Sequence, residues 1–318
     1  MRVKNVLTLI PVLLMCLCLT GCNLLQKLFP VRKEDPPPQA FTNAKQPTLE
    51  EITSTINRNS QNIRNVIAPN ATIYIPGTIL PLQSRITFER PKRMRIQGYA
   101  TSLSGQEFDF GSNDTFFWIW TKRGPNEMWY CRHDLYQMSP IRSVIPIDPD
   151  WLIESLGIVE FKPTDQHLGP ARMADGNWEI ISYCQTPSGQ YIKRTVIDSK
   201  IGWIKRQELY SPQRELVASA EADDVRYDRE NYIYYAKQIT VHCQGMDGKM
   251  TIDLGSPKFN SPVPFDSGMF LMPTFEGYRA LDLSSPEFLQ PRGVMMPAQM
   301  PNMTGAPVPE ANIQTIIR

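Results

Sequence analysis

Short runs in which apolar and polar residues alternate recur along most of this chain. Ile86 and Phe88 alternate with charged or polar neighbours, and Met94 and Ile96 do the same a few residues later. Alternation with a period of two is typical of strands that bury one face and expose the other. Further runs of this kind contain Phe108, Phe110, Met250, Ile252 and Leu254.

Residues that favour tight turns lie between these runs. Asp247-Gly248 is a strong hairpin signal, and Ser104-Gly105 and Pro187-Ser188-Gly189 are also turn sequences. Short turns join antiparallel neighbours. We therefore expect a curved, mostly antiparallel sheet of about ten to eleven strands.

A helix is predicted at the start of this region. Thr48 and Glu51 form a capping box, in which each side chain bonds the backbone N–H of the other residue. The apolar residues that follow fall on one face at helical spacing: Leu49, Ile52, Ile56, Ile63 and Val66.

A second, shorter helix interrupts the strands. Asp148-Pro149-Asp150 provides its N-terminal cap, and Gly157 ends it. Its apolar stripe consists of Trp151, Leu152 and Leu156.

Ten or so strands with one apolar face must hide that face from water, and twisted sheets of this size curl. Two or three helices with single apolar stripes cover less area than such a sheet offers. We therefore predict a mainly β (α+β) fold, a half-open barrel with helices on its concave face. The uncovered space would be an apolar cavity suited to an acyl chain.

Residues 116–120 are five large apolar residues in a row, so both faces of this strand need cover. We expect Phe116, Trp118 and Trp120 to line the cavity, and Phe117 and Ile119 to point away, beneath a loop, the C-terminal segment or a membrane. The alternative is that all five are ordinary core. The predicted cavity residues are Phe108, Phe110, Phe116, Trp118, Trp120, Trp151 and Leu152.

The N-terminus has the pattern of a signal peptide: basic Arg2 and Lys4, then an apolar stretch to Leu19 that is too short for a confident membrane span. Leu19-Thr20-Gly21-Cys22 resembles the bacterial lipobox. That resemblance implies cleavage between Gly21 and Cys22 and a diacylglyceryl group on the Cys22 sulfur. An ordinary secretory signal with an incidental cysteine is the alternative.

Composition divides the remainder of the chain. After a signal peptide of residues 1–21, a lipidated Pro-rich tether is predicted for 22–47, the folded domain for 48–285 and a disordered Pro/Met-rich tail for 286–318.

Lys plus Arg number 33 and Asp plus Glu 32, so no basic excess indicates a nucleic-acid partner. Cys131, Cys184 and Cys243 allow at most one disulfide, and the pairing stays open.

We find no strong signature of catalysis or of cofactor binding. The only metal-ligand candidates, Cys131-Arg132-His133 and His242-Cys243, have a spacing that matches no strong metal motif. No nucleophile elbow or phosphate-binding loop is present. We expect a protein without a cofactor that is not an enzyme.

The lipobox, the tether, the amphipathic helix and the strands broken by a Trp-led helix together resemble the lipoprotein-localisation fold of bacteria, the LolA/LolB-like superfamily. The resemblance covers about residues 48–285. Two local patterns contribute: Trp151 to Gly157, a Trp-led helix ending in Leu-Gly, and residues 101–108, which have the layout of the receptor's exposed-leucine loop. The resemblance implies that Leu103 inserts into the membrane or the cargo, although Ser102 replaces the receptor's usual proline.

Three functions follow as hypotheses. The first is a membrane-anchored, non-catalytic protein that binds acyl chains, lipids or lipoproteins, with a periplasmic carrier protein as a partner. The second is a structural envelope lipoprotein whose core is filled by its own side chains, which a tightly packed interior would favour. The third is an enzyme on the same scaffold.

Asn23 follows the lipidated cysteine, where aspartate is by resemblance the commoner inner-membrane retention signal. We therefore expect fractionation of the cell envelope to recover the protein with the outer membrane. Recovery with the inner membrane would contradict this prediction.

Overall fold

The computed structural model describes residues 38–41, 46–78, 80–101, 105–143, 145, 148–186, 189–245, 248–262 and 268–289. The described residues form one compact unit. No helix in the described part of the chain is both long enough and apolar enough to cross a bilayer.

Two α-helices and two short 3-10 helices occur among these residues. The α-helices are α1 (Leu49–Gln61) and α2 (Pro149–Ser155), and the 3-10 helices span His133–Met138 and Pro140–Ser143. Fifteen strands make up most of the remainder: β1 (Asn65–Tyr74), β2 (Leu82–Glu89), β3 (Arg93–Tyr99), β4 (Gln106–Ser112), β5 (Phe116–Thr121), β6 (Glu127–Arg132), β7 (Gln166–Arg172), β8 (Trp178–Thr186), β9 (Gly189–Ile197), β10 (Ile204–Tyr210), β11 (Leu216–Asp228), β12 (Ile233–Cys243), β13 (Met250–Asp253), β14 (Lys258–Phe259) and β15 (Arg279–Asp282).

All fifteen strands belong to one curved, open sheet. Its order is β15-β6-β5-β4-β3-β2-β1-β13-β12-β11-β10-β9-β8-β7. The short β14 also pairs with β1, at residues 66–67, whereas β13 pairs with residues 72–74. Every pair is antiparallel except β15 with β6. The predicted mainly β, mostly antiparallel architecture is confirmed.

The number of strands exceeds the predicted ten to eleven. β14 has two residues and β15 has four, so neither is long enough to show a period. β7 is an edge strand whose residues are mostly exposed, and therefore it lacks the alternation that marks a strand with one buried face.

The capping box at the start of α1 is present. Glu51 N–H donates to Thr48 Oγ1 at 3.1 Å, and Thr48 N–H donates to Glu51 Oε2 at 2.7 Å. The helix ends at Gln61, so two residues assigned to its apolar face are not helical. Ile63 follows the helix and Val66 lies in β1, because β1 pairs with β2 from Asn65 onward.

The C-terminal strap, which we define as residues 268–278, crosses one face of β3–β6. Its Phe275 ring stacks on Trp120, with centroids 3.8 Å apart and planes 7° apart. The Tyr278 hydroxyl donates to Lys122 O at 2.8 Å, and Arg95 Nη1 donates to Met269 O at 2.9 Å. The strap thus covers the sheet face opposite the one that carries the helices.

A buried carboxylate lies beneath the strap. Asp109 is fully buried and accepts hydrogen bonds from Arg95 Nη2 at 2.9 Å, Gln106 Nε2 at 2.6 Å and Trp118 Nε1 at 2.9 Å. Gly111 makes room for Trp118, since a Cβ on this glycine would lie 2.0 Å from the indole ring. Ionic and aromatic contacts therefore share this outer face.

Phe275→Ala removes the stacked ring from the strap while leaving the sheet intact. We expect the free energy of unfolding to fall by about 1–3 kcal/mol, from the lost burial and stacking. Leu271→Ala, at an exposed strap position, is the control and should change it by less than about 0.5 kcal/mol. Urea unfolding followed by tryptophan fluorescence measures both, and equal effects would contradict the role given to Phe275.

Candidate functional site

The helix-covered face of the sheet carries two apolar clusters. α1 contributes Ile52 and Ile56, both fully buried, to a cluster with residues of β8–β10. α2 contributes Trp151 and Ile153 to the larger cluster, which extends over the middle of the sheet and includes Tyr136 and Ile141 of the 3-10 helices. The two helices therefore cover different parts of one face.

A narrow apolar pocket lies between the end of α1, the middle strands and the segment that follows α2. Its cavity volume is about 10 Å³, room for about one water molecule. Almost all of its lining is apolar: Ile63, Val66, Ile86, Phe88, Leu156, Gly157, Ile158, Tyr234, Tyr235, Leu254 and Phe259.

The free volume of the interior is much smaller than that of the cavity expected from the sequence. Pockets for small ligands have volumes of about 300–1,000 Å³. The difference arises because segments outside the helices also fill the interior, among them Val159 and Phe161 after α2. An acyl chain can enter this face only if one of the covering segments moves.

Two asparagines of α1 fasten this helix to the rest of the domain. Asn57 Nδ2 donates to Phe161 O at 3.0 Å, while Phe161 N–H donates to Asn57 Oδ1 at 2.7 Å. Asn59 makes the same pair of hydrogen bonds with the backbone of Tyr234 in β12, at 3.0 and 2.6 Å. Each amide pairs with one backbone N–H and one C=O, as a neighbouring strand would, so α1 is held in a fixed position.

The chain just after α1 is held in the same way. Arg64 N–H donates to Asn260 Oδ1 at 2.8 Å, and Asn260 Nδ2 donates to Asn62 O at 2.8 Å. Asn57, Asn59 and Asn260 were not identified from the sequence. A pair of hydrogen bonds to backbone groups over 100 residues away leaves no local pattern.

α2 is attached through fewer polar contacts. Asp148 caps it by accepting from Trp151 N–H at 2.8 Å. Lys193 of β9 lies 2.5 Å from Glu154 Oε2, and Gln207 Nε2 of β10 donates to Glu154 O at 3.0 Å. The ion pair is nearly buried. Burial disfavours the Lys193 ammonium, but Glu154 and other nearby groups outweigh it, so the net effect raises the pKa of Lys193.

The sheet surface around this ion pair is polar. Lys193 is the register partner of Ser182, and Thr195 is the partner of Gln207. Among the described residues, Thr195 Oγ1 and Gln207 Oε1 are buried without a hydrogen-bond partner. Unpaired buried polar atoms cost free energy, and Ser60 Oγ of α1 is unpaired as well, so such atoms occur at both helices.

The predicted cavity residues divide between the two faces. Phe110 is buried in the large cluster on the helix-covered face, and Phe108 packs against it. Phe116, Trp118 and Trp120 lie on the opposite face in a third cluster with the strap. The reason is the register of β4 with β5: Phe110 pairs with Ile119, so Phe117 and Ile119 share the helix-covered face and their neighbours do not. This corrects the assignment of those three rings to the cavity.

Trp151 and Leu152 lie in α2, as predicted. Trp151 is buried in the large cluster and Leu152 packs partly against it. Three other predicted site residues, Leu103, Gly21 and Cys22, lie outside the described residues.

The histidines and cysteines singled out from the sequence are structural in their contacts. His133 Nε2 lies 2.8 Å from Asn113 O, and His242 Nδ1 lies 2.8 Å from Gly248 O. Within the described ranges, no group of three His, Cys, Asp or Glu side chains is arranged to hold a metal ion. Burial raises the pKa of Cys131 to about 11, which keeps this thiol protonated.

Cys184 and Cys243 are also free thiols, and burial raises the pKa of each to about 12.

An open cleft of about 410 Å³ lies beside His133, lined by Lys92, Asp114, Thr115, Arg132 and Asp134. Its charged side chains are all paired: Arg132 with Asp134 at 2.8 Å, Asp114 with Arg93 at 2.6 Å and Lys92 with Asp150 at 3.7 Å. The cleft therefore presents no single sign of charge to a ligand.

No family model matches the chain, and no curated protein matches it. Among solved structures, it is similar to a domain described as an outer membrane lipoprotein-sorting protein from Vibrio parahaemolyticus, at 9% identity over 68% of this chain and 94% of that one, with a TM-score of 0.48. A DUF1329 family protein from Desulfovibrio piger is 12% identical over 67% and 92%, with a TM-score of 0.46.

A LolA superfamily protein from Nitrosomonas europaea is 11% identical over 69% of this chain and 97% of that one, with a TM-score of 0.44.

Asn59→Ala should lower the free energy of unfolding by about 2–3 kcal/mol, because it leaves the N–H and C=O of Tyr234 without their partners. Asn62→Ala is the matched control: its side chain makes one 3.4 Å bond at an exposed site, so we expect a change below about 0.5 kcal/mol. Denaturant unfolding measures both, and a small effect of Asn59→Ala would contradict its fastening role.

Lys193→Met should lower the free energy of unfolding by about 3–5 kcal/mol, because Glu154 is then buried without its cation. Adding Glu154→Gln to this variant should restore part of the loss, since the uncompensated charge is gone. A double-mutant cycle by thermal or denaturant unfolding tests this, and additive effects would show that the two groups are not coupled.

Proposed function

We propose that this chain is a membrane-anchored, non-catalytic protein that binds acyl chains or lipoproteins in the bacterial cell envelope. Attachment through an acylated Cys22 would place it on the outer membrane, facing the periplasm. The observation that carries the proposal is the apolar pocket at the C-terminal end of α2, the less firmly attached of the two helices.

The physical basis is an exchange of apolar surfaces. When α2 moves away from the sheet, Trp151, Ile153 and Leu156 leave buried positions. An acyl chain that takes their place buries its own methylene groups, each worth about 0.8 kcal/mol. The acyl chain thereby offsets the burial that is lost when α2 moves. The paired hydrogen bonds of Asn57 and of Asn59 keep α1 in position.

Phe108, Phe110, Trp151 and Leu152 would contact the bound chain, because all four belong to the cluster on the helix-covered face or pack against it. Leu103, in the loop between β3 and β4, would insert into the membrane or the cargo. A periplasmic carrier protein that delivers the cargo would be the partner.

A second function is favoured by one specific observation. With a cavity of only about 10 Å³, the core is filled by its own side chains. This is the arrangement of a structural envelope lipoprotein, whose Pro-rich ends would recruit other proteins. The two proposals differ in whether the core ever takes up lipid.

Native mass spectrometry of the purified protein, with and without added fatty acid, separates the two. Binding of acyl chains would give additional masses that persist at low activation energy. A mass free of ligand at saturating fatty acid would contradict the binding proposal and favour the structural one.

Glu154→Gln tests the role of α2 directly. It leaves Lys193 without its partner and raises the fraction of molecules in which α2 has moved, so we expect fatty-acid affinity to rise by about tenfold or more. Asn59→Ala, which destabilises the contact of α1, is the control and should not raise it. Displacement of a fluorescent fatty acid measures both, and equal affinities of the two variants would contradict an entry route beneath α2.

A further inference from the structure

The turns of the sheet lie along two opposite rims. The register of the strands places the connections β1–β2, β3–β4, β5–β6, β8–β9, β10–β11 and β12–β13 along one edge, which we call the first rim. The turns at 90–92, 113–115, 173–177, 198–203 and 229–232 lie along the other edge, the second rim.

Charge is distributed unequally between these rims. Three turns of the first rim lie within stretches that have no charged residue, at 65–84, 96–106 and 180–192. Every turn of the second rim contains at least one: Arg90 and Lys92, Asp114, Asp175, Asp198 and Lys200, and Arg229 and Glu230. Two of these uncharged stretches contain polar serine and threonine at their turns, whereas the turn at 75–81 is mostly apolar, which is unusual for a surface turn.

The turn between β1 and β2 also exposes large apolar side chains. Leu80 is 64% exposed and Tyr74 is 48% exposed. Leu216, at the start of β11 on the same rim, is exposed as well. At this hairpin water therefore contacts Leu80 and Tyr74 where the chain has no charge, whereas Leu216 and the exposed Tyr232 of the second rim lie close to charged residues in the sequence.

The tip of this hairpin is well fixed. Thr78 N–H and Thr78 Oγ1 both donate to Ile75 O, at 3.2 and 2.8 Å. Pro76 packs against Gly248 in the turn between β12 and β13, where a Cβ on the glycine would lie 2.9 Å from the proline ring. The apolar side chains are thus held outward by an ordered support.

The two turns that follow along the same rim each combine one basic and one acidic residue, Lys249 with Asp247 and Arg214 with Glu215, so they add no net charge. Leucine and tyrosine that project where the chain has no charge suit a phospholipid surface, because no charged group loses its water there and tyrosine favours the membrane interface.

We propose that the first rim docks on a phospholipid bilayer, with Leu80 and Tyr74 entering the interface. This rests on the proposed envelope function and adds to it the surface that faces the membrane. The hairpin between β1 and β2, and not only the loop that contains Leu103, is then a membrane contact.

The point where the tether joins the domain is compatible with this orientation. Pro38 O accepts from the Tyr234 hydroxyl, and Ala40 N–H donates to Lys200 O at 3.1 Å, both near the second rim. β12 has 11 residues and spans about 36 Å. Residues 22–37 reach about 50 Å when extended, so a lipid on Cys22 allows the first rim to reach the same bilayer.

Vesicle binding of the unlipidated chain from residue 22 onward, with Cys22→Ser, tests the proposal. Vesicles of phosphatidylethanolamine and phosphatidylglycerol are sedimented with the protein. We expect Leu80→Glu to lower the partition coefficient by about tenfold or more. Leu271→Glu is the matched control: this leucine is 62% exposed on the strap, away from the first rim, and its replacement should leave binding unchanged.

A second measurement uses the lipidated full chain in the same vesicles, with Cys184→Ser to remove the half-buried thiol. An environment-sensitive dye on Leu80→Cys should shift its emission to the blue, while the same dye on Leu271→Cys should not. Equal emission at the two positions, or equal partition of the two glutamate variants, would overturn the proposal.

The outcome is separate from that of the proposed function. A protein that retains fatty acid in native mass spectrometry while position 80 stays in water contradicts only the docking of this rim. A protein that loses vesicle binding with Leu80→Glu but never retains fatty acid supports the docking and contradicts the binding of acyl chains.

Discussion

The fold depends on covering an open sheet of fifteen strands on both of its faces. On one face α1, α2, the 3-10 helices and the segment after α2 bury the apolar side chains. On the other face the C-terminal strap covers Trp118 and Trp120 and closes over the carboxylate of Asp109. Because exposed apolar area costs about 25 cal/mol per Å², each of these segments is held by the sheet surface that it removes from water.

The two helices are attached to that surface by different physics. Asn57 and Asn59 give α1 directional double hydrogen bonds to backbone groups, which tolerate little displacement. α2 combines apolar contacts, which a lipid can replace, with one nearly buried ion pair between Glu154 and Lys193. A buried ion pair adds little net stability against an apolar alternative. The proposed entry of a ligand would therefore open the contact of α2 and leave the contact of α1 in place.

The unequal rims give the domain a direction. Turns at 90–92 and 229–232 are charged and suited to water, whereas those at 75–81 and 100–105 have no charge. Strand register alone brings turns that are far apart in sequence to one edge. A surface of this kind arises only from the whole sheet, since no single hairpin is apolar enough to hold a protein on a bilayer.

Local patterns in the sequence were sufficient for the two α-helices and for the strands that alternate. The capping box at Thr48 and Glu51, the cap of α2 at Asp148 and the alternation in β2, β3, β4 and β13 are interactions between residues close in the chain, so they can be read without a fold. The curved, mostly antiparallel sheet followed from the same alternation, because many half-apolar strands joined by short turns must bury one common face.

What the tertiary structure alone decided is which segment covers which face. The alternation in Phe116–Thr121 separates two sets of side chains but is symmetric between the two sides of the sheet, so it could not assign Trp118 to the strap and Phe117 to the helices. That choice depends on Phe275 and Tyr278, more than 150 residues away, and on the side chains that fill the core until about 10 Å³ remains. Packing is a property of distant partners, and the periodicity of a strand contains no information about them.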